Sequence, residues 1–145
     1  MPIEMTVAEK LQDFADSENI RVYPAGCHSL HKGCCHATND FSAIVINTNV
    51  VKTHPDYVCT LAEEIGHIKT GTMLPLCDYV DPKYKNWIKR KNEIHPVRYA
   101  INWILPPSRI QEARDDGCYC VCAIAQFCGV TEEFLMEALD YYGWN

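Results

Sequence analysis

Thr60-Leu61-Ala62-Glu63-Glu64-Ile65-Gly66-His67-Ile68-Lys69-Thr70-Gly71 is the stretch from which the rest of the chain is read. Leu61, Ile65 and Ile68 recur at helical spacing and Gly71 follows as a terminator, so the segment reads as a helix that buries one side. Such a helix puts Glu63 and His67 at i and i+4 on one face, the spacing by which a helix offers two ligands to one metal ion. Glu64 sits one step round, beside that face. Polar groups on a buried helix need partners, and a metal with its water is one way to supply them.

Glu-Glu-x-x-His by itself decides little. From average residue abundances it arises by chance in roughly one chain in a hundred of this length. Two solvated carboxylates, with a histidine near the helix end where a cation is welcome, give the same string. The pattern resembles the H-E-x-x-H metallopeptidase signature, in which two His bind zinc and the Glu is general base toward water. Here Glu63 stands where that signature has its first His.

The chain has 145 residues, enough for one domain with a real core and nothing that suggests a second. Its 13 Lys and Arg against 19 Asp and Glu give a net charge of -6. That balance argues against a non-specific nucleic-acid binder or a basic membrane-surface protein. No apolar run approaches the roughly 20 residues of a spanning helix. Met1-Pro2-Ile3-Glu4-Met5 lacks the basic and apolar regions of a signal peptide, so a cytoplasmic location is expected. There the nine cysteines read as reduced thiols or metal ligands rather than disulfides.

Two cysteine clusters stand out. Cys27-His28-Ser29-Leu30-His31-Lys32-Gly33-Cys34-Cys35-His36 holds enough soft ligands for a structural zinc site. Its spacing fits no finger or ribbon pattern, and a half-exposed strand and turn accounts for it equally. Cys118-x-Cys120-x-Cys122 falls in a segment read as helix, where i and i+2 point apart, so core cysteines are the expectation.

Around the central stretch the elements follow from caps and periodicity. Thr6-x-x-Glu9 is a capping box for an amphipathic helix over 6–17. Ile20 to Tyr23 reads as a strand ended by Pro24-Ala25-Gly26, and Phe41 to Asn47 as the best strand in the chain, after a turn at Thr38-Asn39-Asp40. A small antiparallel sheet is expected from these pieces. The central helix enters at about Pro55 or Asp56. Residues 72–92 read as a loop and a basic run, Lys83 to Lys91, with Tyr84, Trp87 and Ile88 on one side: a solvated face or a cover over a site. A helix starts at His95-Pro96 and stops before Pro106-Pro107. A short helix from Ser108 to Arg114, another from Cys118 to Phe127, and a last from Glu132 to Tyr142 capped by Thr131 complete an α+β domain.

Several of these pieces resemble the ImmA/IrrE family of zinc metallo-endopeptidases, often encoded on phages and mobile elements near repressor genes. In that family an N-terminal helix and small sheet precede a helix reading like Thr-Leu-Ala-His-Glu-x-Gly-His. Thr60 to His67 matches every fixed position except the first His. A later family helix has the form Glu-x-x-Ala-x-x-Phe-Ala-x-x-Leu-Leu-x-Pro, whose leading Glu is the third ligand. Counting back from Pro106, with Tyr99-Ala100 in the Phe-Ala places, that Glu falls on Glu93; the third ligand is read two residues on, at His95. The tail, Ile124-Ala125-x-Phe127-x-Gly129-Val130-Thr131-x-x-Phe134, resembles the family's last two helices.

With His95 taken as the third ligand the two departures compensate, the first ligand changing from His to Glu63 and the third from Glu to His95. Two imidazoles and one carboxylate are kept. The resemblance thus implies a zincin-like domain over 1–145 in which Glu63, His67 and His95 hold Zn2+ and Glu64 is the general base. It also implies a protein substrate, of which a helix-turn-helix repressor is the expected kind. For the oxyanion donor His54, Tyr99 and Tyr119 are all open, and His28, His31 and His36 line the cleft or are surface residues. A different outcome of the same swap is a site that binds metal without cutting, in a regulatory or partner-binding module. No DNA-binding helix-turn-helix or basic stripe is evident, so neither direct nucleic-acid binding nor a membrane role is expected.

Overall fold

The computed structural model describes residues 5–71 and 94–144. Its first helix, α1 (Val7–Ser17), starts at the capping box that the sequence shows. The Thr6 hydroxyl accepts from the Glu9 N–H at 3.2 Å and the Glu9 carboxylate accepts from the Thr6 N–H at 2.9 Å. Leu11 and Ala15 carry its buried face. The chain then turns into β1 (Ile20–Ala25), β2 (Gly33–Ala37) and β3 (Ser42–Asn47), a three-stranded sheet in the order β1-β3-β2.

The sheet is mixed, which corrects the antiparallel expectation. β1 runs parallel to β3, from Ile20 opposite Ser42 to Ala25 opposite Asn47, and β2 is antiparallel to β3. The reason lies in β3, whose Ile44 and Ile46 are both 0 % exposed. A strand that apolar takes the central place, so the chain leaving β1 crosses its end and returns on the far side. Residues 26–41 make that crossing, long enough for the connection that parallel neighbours require.

Asn47 holds the crossing in place. Only 2 % exposed, it is one of the two buried polar residues in the described chain. Its side-chain oxygen accepts from the N–H groups of Cys27 and Asn49, both at 3.1 Å. Its amide nitrogen donates to the carbonyls of Ser29 and His31, both at 3.0 Å. Every hydrogen-bonding side of one buried amide is therefore used on the Cys/His-rich stretch and the turn after β3. That stretch is a loop tied by Asn47, followed by an edge strand of alternating burial.

Helix α2 (His54–Thr70) follows, with the Thr53 hydroxyl accepting from the Asp56 N–H at 3.2 Å and Gly71 closing it. Then come α3 (residues 94–104), α4 (Pro107–Asp115), α5 (Val121–Cys128) and α6 (Glu132–Tyr142), so the described residues form six helices and an α+β fold. α1 packs on β1, and α2 packs on β2, β3 and α1. Ile44, Ile46, Leu61, Ile65, Ile101, Leu105, Ile110 and Leu135 belong to a single core that runs from sheet to last helix. None of the described helices is long and apolar enough to cross a membrane.

The Cys118, Cys120 and Cys122 expectation is also corrected. Gly117 takes φ 94, which L side chains rarely adopt, and the chain leaves helical conformation there. Cys120 then serves as N-cap of α5, its Sγ accepting from the Ala123 N–H at 3.4 Å. Cys120 and Cys122 are exposed and Cys118 is half-buried, whereas Cys59 and Cys128 are the buried thiols among the described residues. The loop and basic run expected over 72–92 lie outside the described residues.

Replacing Asn47 by Ala strands two N–H and two C=O groups at once. The Asn47→Ala variant is expected to lose about 3 kcal/mol of unfolding free energy in urea titration. A loss below about 1 kcal/mol would show that the crossing does not depend on this amide.

Candidate metal centre

Leu61 and Ile65, 0 % and 1 % exposed, fix the rotation of α2 about its axis. With that rotation set, Glu63, Glu64 and His67 are half-buried, and Glu63 and His67 share a face. Between them in the sequence comes Gly66, and its lack of a side chain is used. A Cβ built there would lie 2.5 Å from the Pro96 carbonyl oxygen and 3.0 Å from Pro96 Cα. α2 and α3 therefore meet backbone to backbone, an approach that glycine permits. Pro96 is fully buried in this contact, while its neighbour His95, also on α3, is exposed.

The fold thus brings the backbone of His95 to the turn of α2 that carries Glu63 and His67. It does not draw the side chains together: among the described residues no three His, Cys, Asp or Glu side chains are arranged to hold a metal ion.

Glu63 looks toward the C-terminal helices. It borders a cavity of about 490 Å³ together with Val97, Arg98, Ile101, Glu137 and Tyr141. On its other side is a smaller cavity of about 300 Å³, where Lys32, Asp56, Thr60 and Glu133 are among the lining residues and Glu137 again appears. Lys32 donates to Asp56 at 2.8 Å. Its ammonium pKa is raised, first by that hydrogen bond and further by the charges of Asp56, Glu63 and Glu133, against some desolvation. The Arg98 guanidinium lies 5.1 Å from the centre of the Tyr141 ring. Carboxylates outnumber cations on these walls, a field that favours a cationic guest.

Glu64 looks the other way, toward the sheet. A Cβ on Gly33 would stand 3.1 Å from Thr60 Cγ2 and 3.2 Å from Glu64 Cγ, so β2 lies directly on this part of α2. Two residues on, Cys35 lies half-buried on the same strand, packed against the core. Burial pushes the Cys35 pKa upward, and the nearby Glu64 charge adds to it. Neighbouring side chains on a helix diverge by about 100 degrees, and the two flanks of α2 turn that divergence into two environments for Glu63 and Glu64.

The remaining candidates separate by position. His54 opens α2, 13 residues before His67, which places it roughly 20 Å away along the axis. Tyr119 is 83 % exposed, in the segment between α4 and α5. Tyr99 is half-buried on α3 near Lys69 and Glu18, and burial raises its phenol pKa. His28 and His31 are exposed in the loop tied by Asn47, and His36 is exposed, alternating with Cys35, which faces α2. Of these, His54 and Tyr99 belong to the helices that form the candidate site, and His54 stands at the far end of its helix.

Sequence reasoning missed Cys35 and Glu137. The alternation of Gly33, Cys35 and Ala37 carried the signal for the first, once β2 was known to face α2. Glu137 follows Glu133 by one helical turn on α6, a pattern visible in the sequence but with no hint of its target. No family model, curated protein or solved structure matches this chain.

An alanine at Gly66 would have to push α3 off α2. Gly66→Ala is expected to cost about 2 kcal/mol or more in urea unfolding, well beyond what helix propensity would return. A variant as stable as the parent would contradict the backbone contact with Pro96.

Proposed function

We propose that this chain is a zinc-dependent endopeptidase of the ImmA/IrrE type with a zincin-like fold. In this reading Glu63, His67 and His95 hold the metal and Glu64 is the general base. The observation that carries it is the division of labour on α2: one half-buried turn sends Glu63 and Glu64 to opposite flanks, while Gly66 seats the turn bearing His95 beside them.

The donor chemistry fits zinc, which takes imidazole and carboxylate ligands and keeps a fourth position open in catalytic sites. Closing the set requires the exposed His95 ring to turn inward. Bound there, zinc would supply the Lewis acidity that polarises a scissile carbonyl and acidifies water. Glu64 accepts the proton of the attacking water and passes it to the leaving amine. Tyr99 is the donor best placed to meet the developing oxyanion.

A polypeptide substrate suits the surroundings. Among the described residues β2 pairs with β3 alone, so its other edge offers main-chain donors and acceptors to an extended segment lying beside Glu64. By the family resemblance that segment belongs to a helix-turn-helix repressor, cleaved in the cytoplasm where thiols stay reduced.

The test is hydrolysis of fluorescein-labelled casein and of a helix-turn-helix repressor by zinc-loaded protein. Glu64→Gln is expected to slow cleavage about 100-fold or more with zinc content unchanged. Zinc bound by the wild type without cleavage of either substrate would make the chain a metal-binding partner module instead.

A further inference from the structure

Helix α6 breaks two local rules along one face. Glu133 and Glu137 stand at i and i+4, with Asp140 three residues further, so like charges sit at the spacing where they repel. Glu133 lies in the first turn, where the helix dipole welcomes an acid, but Asp140 lies in the last, where no basic residue offsets it. Acids placed against both repulsion and dipole weaken a helix, and local violations of this kind mark functional surfaces.

These residues share the groove between α2 and α6. Glu133 and Glu137 border the cavity of about 300 Å³, Glu137 and Asp140 the cavity of about 490 Å³, and Glu63 and Glu137 line both. The two cavities therefore adjoin along α6. Buried Phe134 gives an apolar surface to the first and buried Ile101 to the second. Of the cations on these walls, Lys32 is held by Asp56 at 2.8 Å and the Arg98 guanidinium lies over the Tyr141 ring. Glu63, Glu133, Glu137 and Asp140 set the sign of the field.

We propose that this groove docks a polypeptide segment rich in arginine or lysine. Such side chains carry an apolar stem that covers Phe134 or Ile101 and a cationic head that reaches the carboxylates. The same field repels nucleic acid. As a statement about substrate this rests on the peptidase reading above, since Glu63 and Glu64 share a turn of α2. As a statement about binding it is measured without cleavage.

The probes are a fluorescein-labelled arginine-rich peptide and its citrulline counterpart, which keeps the length and removes the charge. Binding is read by fluorescence anisotropy on the full chain in EDTA. The arginine peptide is expected to bind wild type about tenfold or more tighter than the citrulline peptide, and Glu137→Gln combined with Asp140→Asn to erase most of that preference. The same pair of substitutions is expected to hold or raise the melting temperature, because it relieves repulsion within α6. Should the pair unfold, Glu133→Gln with Glu137→Gln takes its place. Glu132→Gln, on the same helix but bordering neither cavity, is the control expected to bind as wild type does.

Equal binding of the two peptides overturns the proposal. So does an equal loss from Glu132→Gln, which would assign the effect to net charge. Either of two other occupants also overturns it. Spermine that displaces the peptide at equal concentration makes the groove a polyamine site. Binding that strengthens about tenfold or more when the basic residues from Lys83 to Lys91 become Gln gives the groove to this chain's own basic run. Cleavage separates the docking groove from the peptidase reading. Zinc-loaded wild type that binds the arginine peptide and cuts nothing sinks the peptidase and leaves the groove. Cleavage of arginine and citrulline peptides at equal kcat/KM does the reverse.

Discussion

Gly66 of α2 and Pro96 of α3 touch through their backbones, and the space a Cβ would need is closed to 2.5 Å. Everything proposed for this chain depends on that contact. It sets where the Pro96 part of α3 lies against α2, and so brings the backbone of His95 to the turn of Glu63 and His67 although the two histidines are 28 positions apart in the chain. It also fixes what the opposite flank can be. With α3 and α6 on one side, β2 closes on the other, and the adjacent carboxylates of Glu63 and Glu64 enter different surroundings. One faces cavities walled by Glu133, Glu137, Arg98 and Lys32, the other a strand that offers a thiol.

That separation matters more than the identity of any single donor. A carboxylate can bind a metal or take a proton from water, and one group does both poorly. In the H-E-x-x-H pattern the two jobs go to different residue types. On the proposed reading they fall to two glutamates in a row, so position rather than chemistry has to distinguish them. The acidic walls beside Glu63 strengthen the pull on a cation.

Much of the fold was legible because it is written locally. Thr6 with Glu9, Thr53 with Pro55, Gly71 and Thr131 are caps whose partners lie within a few residues, and the helices begin and end near where these place them. The parallel pairing of β1 with β3 was not legible. It depends on Asn47 gathering Cys27, Ser29, His31 and Asn49, a set that no spacing announces. The late start of α5 likewise follows from a cysteine acting as N-cap, outside the usual set of capping residues. In the candidate site, Glu63 and His67 could be read from helical periodicity, since both lie on one helix. The strand that lies on α2 beside Glu64 could not, because that needs the strand order and the side of the sheet that α2 covers.

The central claim is a zinc site shared by α2 and α3, and metal stoichiometry by mass spectrometry addresses it most directly. The account predicts about one zinc per wild-type chain, lost in both Glu63→Ala and His95→Ala, neither of which alters a cysteine. Zinc retained in both variants would place the metal elsewhere in the chain and contradict the account.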